Sequence, residues 1–84
     1  MDIIGKLYEM FRKSAGVTTD SRTIKGGEMF FALKGENFDG NEYALKALDA
    51  GAAYAVVDEG TPVSTVKDER IVPVENTLKA LKEL

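Results

Sequence analysis

The sequence predicts an α/β domain: a small, mixed but mostly parallel sheet with helices packed on it. Three observations lead there. Residues Met29 to Leu33 are continuously apolar, as a strand covered on both faces is. Ala52 to Val57 is a second such run and reads as another strand. Between them lie a loop bracketed by Gly35 and Gly40 and a helical stretch from Asn41 to Ala50. Strand, helix and strand in that order make a crossover unit from Met29 to Val57, so the two strands run parallel.

The other elements follow in chain order. Over residues 2–15, Ile3, Ile4, Leu7, Met10 and Phe11 recur at helical spacing and form one apolar face. Lys6, Glu9, Arg12 and Lys13 fall on the wet side, so this is a covering helix. Asp2 suits its start, and Gly16 suits the position just past its end. Val17 to Thr19 is short and β-branched, which predicts a brief strand. Thr23 to Gly27 is a polar loop with a Gly26-Gly27 turn signal. In the helix Asn41–Ala50, Asn41 is expected to cap the first turn by accepting a backbone hydrogen bond. Ala44, Leu45, Ala47 and Leu48 make its inward face, and Gly51 ends it. Val63 to Val66 reads as a short edge strand. Ile71 to Val74 reads as a strand whose Pro73 favours an edge position. Asn76 caps a final helix with Leu78, Leu81 and Leu84 on its apolar face. That helix is still amphipathic at the last residue, as expected of a chain cut from something longer.

Composition removes whole classes of function. The chain has 84 residues, enough for one small domain. Hydrophobic residues are 44% and charged residues 30%, a globular balance that argues against disorder. The formal net charge is −3 and no basic stripe exists, so neither nucleic acid nor a membrane surface is an expected partner. There is no Cys and no His. That removes disulfides, thiol catalysis, most zinc sites and every Ser-His-Asp triad. No apolar run approaches the roughly 20 residues that span a bilayer. Glu9, Arg12 and Lys13 break any signal-peptide pattern, so the expected compartment is the cytoplasm. Neither GxxxxGK[ST] nor GxGxxG occurs, so no cradle for ATP or a dinucleotide is visible. The carboxylates are scattered without acid/base spacing, and the chain alone is not expected to catalyse a reaction.

Chemistry concentrates in two loops, Thr19 to Arg22 and Lys34 to Gly40. Both are expected at the carboxyl ends of neighbouring strands, where open α/β sheets bind ligands. A helix starting at Asn41 would point the positive end of its dipole and free N–H groups at the same place. Ser21 can donate to a phosphate or carbonyl oxygen. Arg22 can form a bidentate pair with an anion. Phe38 can stack on a flat ring. Each has a structural alternative. Asp20 and Ser21 can cap a turn, Arg22 can pair with a surface carboxylate, and Phe38 can anchor its loop in the core.

The runs Val17-Thr-Thr-Asp-Ser-Arg22 and Gly27-Glu-Met-Phe-Phe-Ala-Leu-Lys-Gly-Glu-Asn-Phe-Asp-Gly40, with Tyr43-Ala44 and Ala47 to Val57, resemble the N-terminal domain of Mur ligases. These enzymes build the peptide stem of bacterial peptidoglycan. The resemblance covers nearly the whole chain, in order. The wording Lys34 to Gly40 is most similar to the member that adds D-alanyl-D-alanine to UDP-MurNAc-tripeptide. The member that adds the third stem residue, diaminopimelate or lysine, is its rival.

The resemblance implies that residues 1–84 are a single N-terminal domain, part of a three-domain ligase, that binds the UDP end of UDP-MurNAc-peptide. It places Thr19, Ser21 and Arg22, and Gly35, Glu36, Asn37 and Phe38, at that ligand, with Arg22 and Asp39 alternatively holding loop geometry. It implies no catalytic residue, cofactor or metal in this chain. ATP and Mg²⁺ belong to the family's central domain, and the missing central and C-terminal domains are expected partners. Asn41 departs from the His that many members carry after Asp-Gly. Two other classes stay open: the same module in a different ligase or kinase-regulator, and a self-standing interaction domain.

Overall fold

The computed structural model describes residues 3–35 and 39–84. Helix α1 (Ile3–Lys13) is followed by strand β1 (Val17–Thr18) and a 3-10 turn at Ser21–Thr23. Strand β2 (Met29–Phe31) leads to a second 3-10 turn at Gly40–Tyr43, which runs into helix α2 (Ala44–Asp49). Strand β3 (Tyr54–Asp58), a third 3-10 turn (Pro62–Thr65), strand β4 (Ile71–Val74) and helix α3 (Thr77–Glu83) complete the chain. The strands lie in the order β1-β2-β3-β4. Every strand pair is parallel, with Val17 opposite Met29, Phe30 opposite Ala55, and Val56 opposite Val72. The expected mostly parallel α/β sheet is therefore parallel throughout its described strands. The antiparallel element is a single bridge between Lys34 and Asp39 in the loop after β2.

The period-2 alternation of the strands divides the core between two faces. Phe30, Ala55, Val57 and Ile71 point to one face and pack with Ala44, Ala47 and Leu48 of α2. Met29, Phe31, Val56 and Val72 point to the other and pack with Leu7 of α1 and Ala80 of α3. Both faces of β2 and β3 are thus buried, which is why these segments read as unbroken apolar runs. The alanines of α2 let it lie close on the sheet. Gly51, at φ +112°, ends α2 in a conformation that side chains with a Cβ avoid.

Several expected details differ. Leu45 is 51% exposed, because α2 is narrower in its buried stripe than the run of apolar residues suggested. Val63 to Val66 is not a strand. Pro62 opens a 3-10 turn there, and the Ser64 and Thr65 hydroxyls donate to the carbonyls of Thr61 and Pro62. In α3 the buried residues are Thr77 and Ala80, with Leu81 and Leu84 partly buried, and Leu78 lies outside. In α1, Leu7 is buried while Phe11 is exposed and tilts against Tyr8, ring centroids 6.4 Å apart. Asp2 lies outside the described residues. Asn76 does cap α3, accepting from the Lys79 N–H at 2.9 Å, and Pro73 sits on the exposed side of β4, an edge strand. No helix among the described residues is long and apolar enough to cross a membrane.

Candidate binding cleft

The two chemistry-bearing loops do leave the carboxyl ends of neighbouring parallel strands, β1 and β2. Beyond β1 the chain turns sharply, and local hydrogen bonds fix the turn. The Asp20 carboxylate accepts from the Arg22 N–H at 2.9 Å and so caps the 3-10 turn. The Thr18 hydroxyl accepts from the Asp20 N–H at 3.1 Å and meets the Thr23 hydroxyl at 2.9 Å. These are the side chains that compete best with regular backbone pairing, so a short strand ends where they cluster.

Arg22 closes a fork on Asp20, with Nε and Nη2 donating to the two carboxylate oxygens at 3.0 and 2.9 Å. The Asp20 hydrogen bond holds the guanidinium above its usual range, with a smaller electrostatic contribution from Tyr43. In return Arg22, through its side chain and then its N–H, draws the Asp20 carboxyl below the ordinary carboxylate range. The Arg22 side chain remains 87% exposed, and its Nη1 takes no part in the fork. An anion can therefore approach Arg22 without breaking the pair.

A cleft of about 480 Å³ opens over this turn, lined by Thr19, Asp20, Ser21, Arg22 and Tyr43. The Thr19 and Ser21 hydroxyls make no hydrogen bond among the described residues. The cleft therefore offers two unspent hydroxyls, a cation and an aromatic ring on one wall. No group of acidic or other ligating side chains that could hold a metal occurs among the described residues.

Of the residues expected at a site, Thr19, Ser21 and Arg22 come together here. Gly35 lies on the adjoining loop, exposed, and is not among the lining residues. Glu36, Asn37 and Phe38 lie outside the described residues. Tyr43 was not anticipated as a lining residue. Its signal was an aromatic at the end of the Gly40–Tyr43 turn, which precedes the helix that packs on the Ser21–Thr23 turn.

Asn41 does something other than cap a helix. Only 5% exposed, it accepts from the Asp58 N–H at 2.9 Å and donates to Asp58 and Asp39 at 3.0 and 2.8 Å. Asp39 is the capping residue, accepting from the Asn41 N–H at 3.0 Å. A carboxylate thus already occupies the turn expected to present free N–H groups, and α2 itself starts only at Ala44. The Asn41 N–H, expected to be open to a ligand, is therefore already taken by Asp39. Asp58 also accepts from the Thr77 N–H at 2.9 Å, and the Thr77 hydroxyl donates to the Ala32 carbonyl at 2.9 Å. Gly40 completes this closed corner. A Cβ there would meet the Leu33 O at 2.7 Å, the Leu33 N at 2.8 Å and the Ala32 C at 2.9 Å, all backbone atoms.

A model described as "Mur ligase family, catalytic domain" matches residues 13–84. The UDP-N-acetylmuramoyl-L-alanyl-D-glutamate--2,6-diaminopimelate ligase of Rickettsia typhi is 39% identical over 79 residues, which is 92% of this chain and 15% of that protein. The UDP-N-acetylmuramoyl-tripeptide--D-alanyl-D-alanine ligase of Bacillus subtilis is 36% identical over 69 residues, 82% of this chain and 15% of that protein. Among solved structures, the MurF ligase from Thermotoga maritima, in complex with ADP, superposes with a TM-score of 0.68 at 27% identity, covering 96% of this chain and 16% of that one. The chain spans about 15% of the length of the curated relatives it matches. The match takes in both loops and the whole sheet, and the chain belongs to the Mur ligase family, with the fold of its N-terminal domain.

Proposed function

We propose that this chain is the N-terminal domain of a longer three-domain ligase and anchors the UDP end of a UDP-MurNAc-peptide. The cleft over the Thr19–Arg22 turn carries the reading. Its unspent Thr19 and Ser21 hydroxyls suit the carbonyl and phosphate oxygens of a nucleotide. The exposed Arg22 suits the pyrophosphate, and the Tyr43 ring suits a flat base. Gly35, Glu36, Asn37 and Phe38, on the adjoining loop, complete the ligand set that the family resemblance implies.

The parent reaction is the ATP-dependent joining of an amino acid or dipeptide to the stem, with ATP and Mg²⁺ held by the central domain. The names of both relatives begin with the same UDP-N-acetylmuramoyl group, so the anchoring task is common to both. Addition of D-alanyl-D-alanine is supported by the MurF neighbour and the Bacillus subtilis relative. Addition of the third residue is supported by the higher identity of the Rickettsia typhi relative. In either case the role is positional. Holding the handle far from the reacting carboxylate contributes binding energy and orientation to the ligation step.

Isothermal titration tests the reading. UDP-MurNAc-tripeptide is expected to bind the 84-residue chain with a millimolar constant, about −4 kcal/mol. ATP is expected to bind far more weakly. Equal binding of the two, or none of the first at several millimolar, would overturn it.

A further inference from the structure

We infer that Asn41 and Asp58 are positioning residues that hold Tyr43 in the wall of the cleft; the inference rests on the anchoring role proposed above. Tyr43 ends the Gly40–Tyr43 turn and packs against the core; the turn is tied to the rest of the fold by the Gly40 N–H on the Leu33 carbonyl at 2.7 Å and by the Asn41 side chain on Asp58 of β3. Asn41 makes a two-way contact with Asp58: its carbonyl oxygen accepts from the Asp58 N–H at 2.9 Å, and its amide nitrogen donates to the Asp58 carboxylate at 3.0 Å. The same carboxylate receives the Thr77 N–H through its other oxygen, so Asp58 is itself held from two sides. Asn41 is buried, and both polar atoms of its amide are engaged. A buried, fully satisfied contact of this kind admits one geometry, because every alternative leaves a polar group unpaired. Two residues further along, that geometry fixes the start of α2 and the backbone that carries Tyr43. The Asp20–Arg22 pair lines the same cleft. The Asn41–Asp58 contact, far in sequence from Thr19 to Arg22, therefore helps to fix the backbone from which the ring enters the cleft that the cation lines.

A double-mutant cycle on the 84-residue chain tests this. The probe is UDP-MurNAc-tripeptide, with backbone and Tyr43 ring resonances followed by NMR. Tyr43→Ala is expected to weaken binding about tenfold if the ring supports the base. Asn41→Ala is expected to weaken it by a similar factor. The double variant is expected to be no weaker than Tyr43→Ala alone, because Asn41 acts through the ring. In the ligand-free protein, Asn41→Ala is expected to shift the Tyr43 ring resonances and those of Arg22. Independent, additive losses would overturn the inference, as would unchanged Tyr43 and Arg22 resonances in the Asn41→Ala protein. If Asn41→Ala does not fold, Asp58→Asn serves the same cycle, since it replaces one of the two acceptor oxygens. Failure of the parent chain to bind the probe would count against the anchoring role, while the ligand-free resonances would still decide the positioning claim.

Discussion

Two corners of the sheet's carboxyl edge are built from similar residues and behave differently. Beyond β1, Thr19, Ser21 and Arg22 surround a cleft, and the two hydroxyls are unspent among the described residues. Beyond β3, Asn41, Asp58 and Thr77 turn toward one another, and their side-chain hydrogen bonds are made within the chain. No buried side-chain nitrogen or oxygen among the described residues lacks a partner. The difference separates two uses of a polar motif. Groups satisfied internally fix the backbone, and groups left open are available to a ligand. Asp39, Gly40 and Asn41 belong to the first kind, and Ser21 belongs to the second.

Substitutions can break or sharpen that contrast. The core beneath both corners gives the largest effect: Phe31 is fully buried, so Phe31→Ala should cost about 3–5 kcal/mol in chemical denaturation. A loss under about 1 kcal/mol would contradict that placement. In the closed corner, Gly40→Ala should cost about 1–3 kcal/mol, because the added methyl meets backbone that cannot rotate aside. Wild-type stability in that variant would show the corner to be loose. In the open corner, Ser21→Ala should leave stability within about 0.5 kcal/mol. It should cost about 0.5–1.5 kcal/mol of binding to UDP-MurNAc-tripeptide, read by titration. A stability loss without a binding loss would move Ser21 into the closed class.

The smallest effect is on pH. Arg22 lowers the Asp20 carboxyl, the Lys25 and Gly26 N–H groups lower Glu28, and Arg70 lowers Asp68 to about 2. Each of these acids has a lower pKa folded than unfolded. Their stabilisation is present above the ordinary carboxylate values and is lost as pH falls through the lowered ones. For Asp68 that window runs from 3.8 down to about 2. Because these groups are only partly buried and remain in contact with solvent, the slope should be shallow. Asp68→Asn should flatten it further in denaturation midpoints across that range, and an unchanged slope would remove Asp68 from the account.

Much of the fold was legible because burial on both faces leaves an unbroken apolar signature, as at Met29 to Phe31 and Tyr54 to Val57. The end of α2 was legible because Gly51 adopts a backbone conformation that other residues resist. Short irregular turns were less legible. Val63 to Val66 carries β-branched residues, but Pro62 and the hydroxyls of Ser64 and Thr65 favour a 3-10 turn. Leu45 belongs to an apolar run, yet its exposure depends on where the stripe of α2 meets the sheet. At the cleft, Ser21 and Arg22 were legible as chemistry in a loop at a strand end. The role of Asn41 was not, because its partner Asp58 lies at the end of β3, 17 residues away, and only the fold brings them together. Tyr43 was hidden for the same reason, since the other residues that line the cleft belong to a different loop.

The most direct measurement is chemical-shift mapping of the isotope-labelled chain during titration with UDP-MurNAc-tripeptide. The account predicts saturable shifts clustered on residues 19–22, on the loop 35–41 and on Tyr43, with little change in α1. Shifts spread along Ile3–Lys13, or none in the cleft at several millimolar ligand, would contradict it.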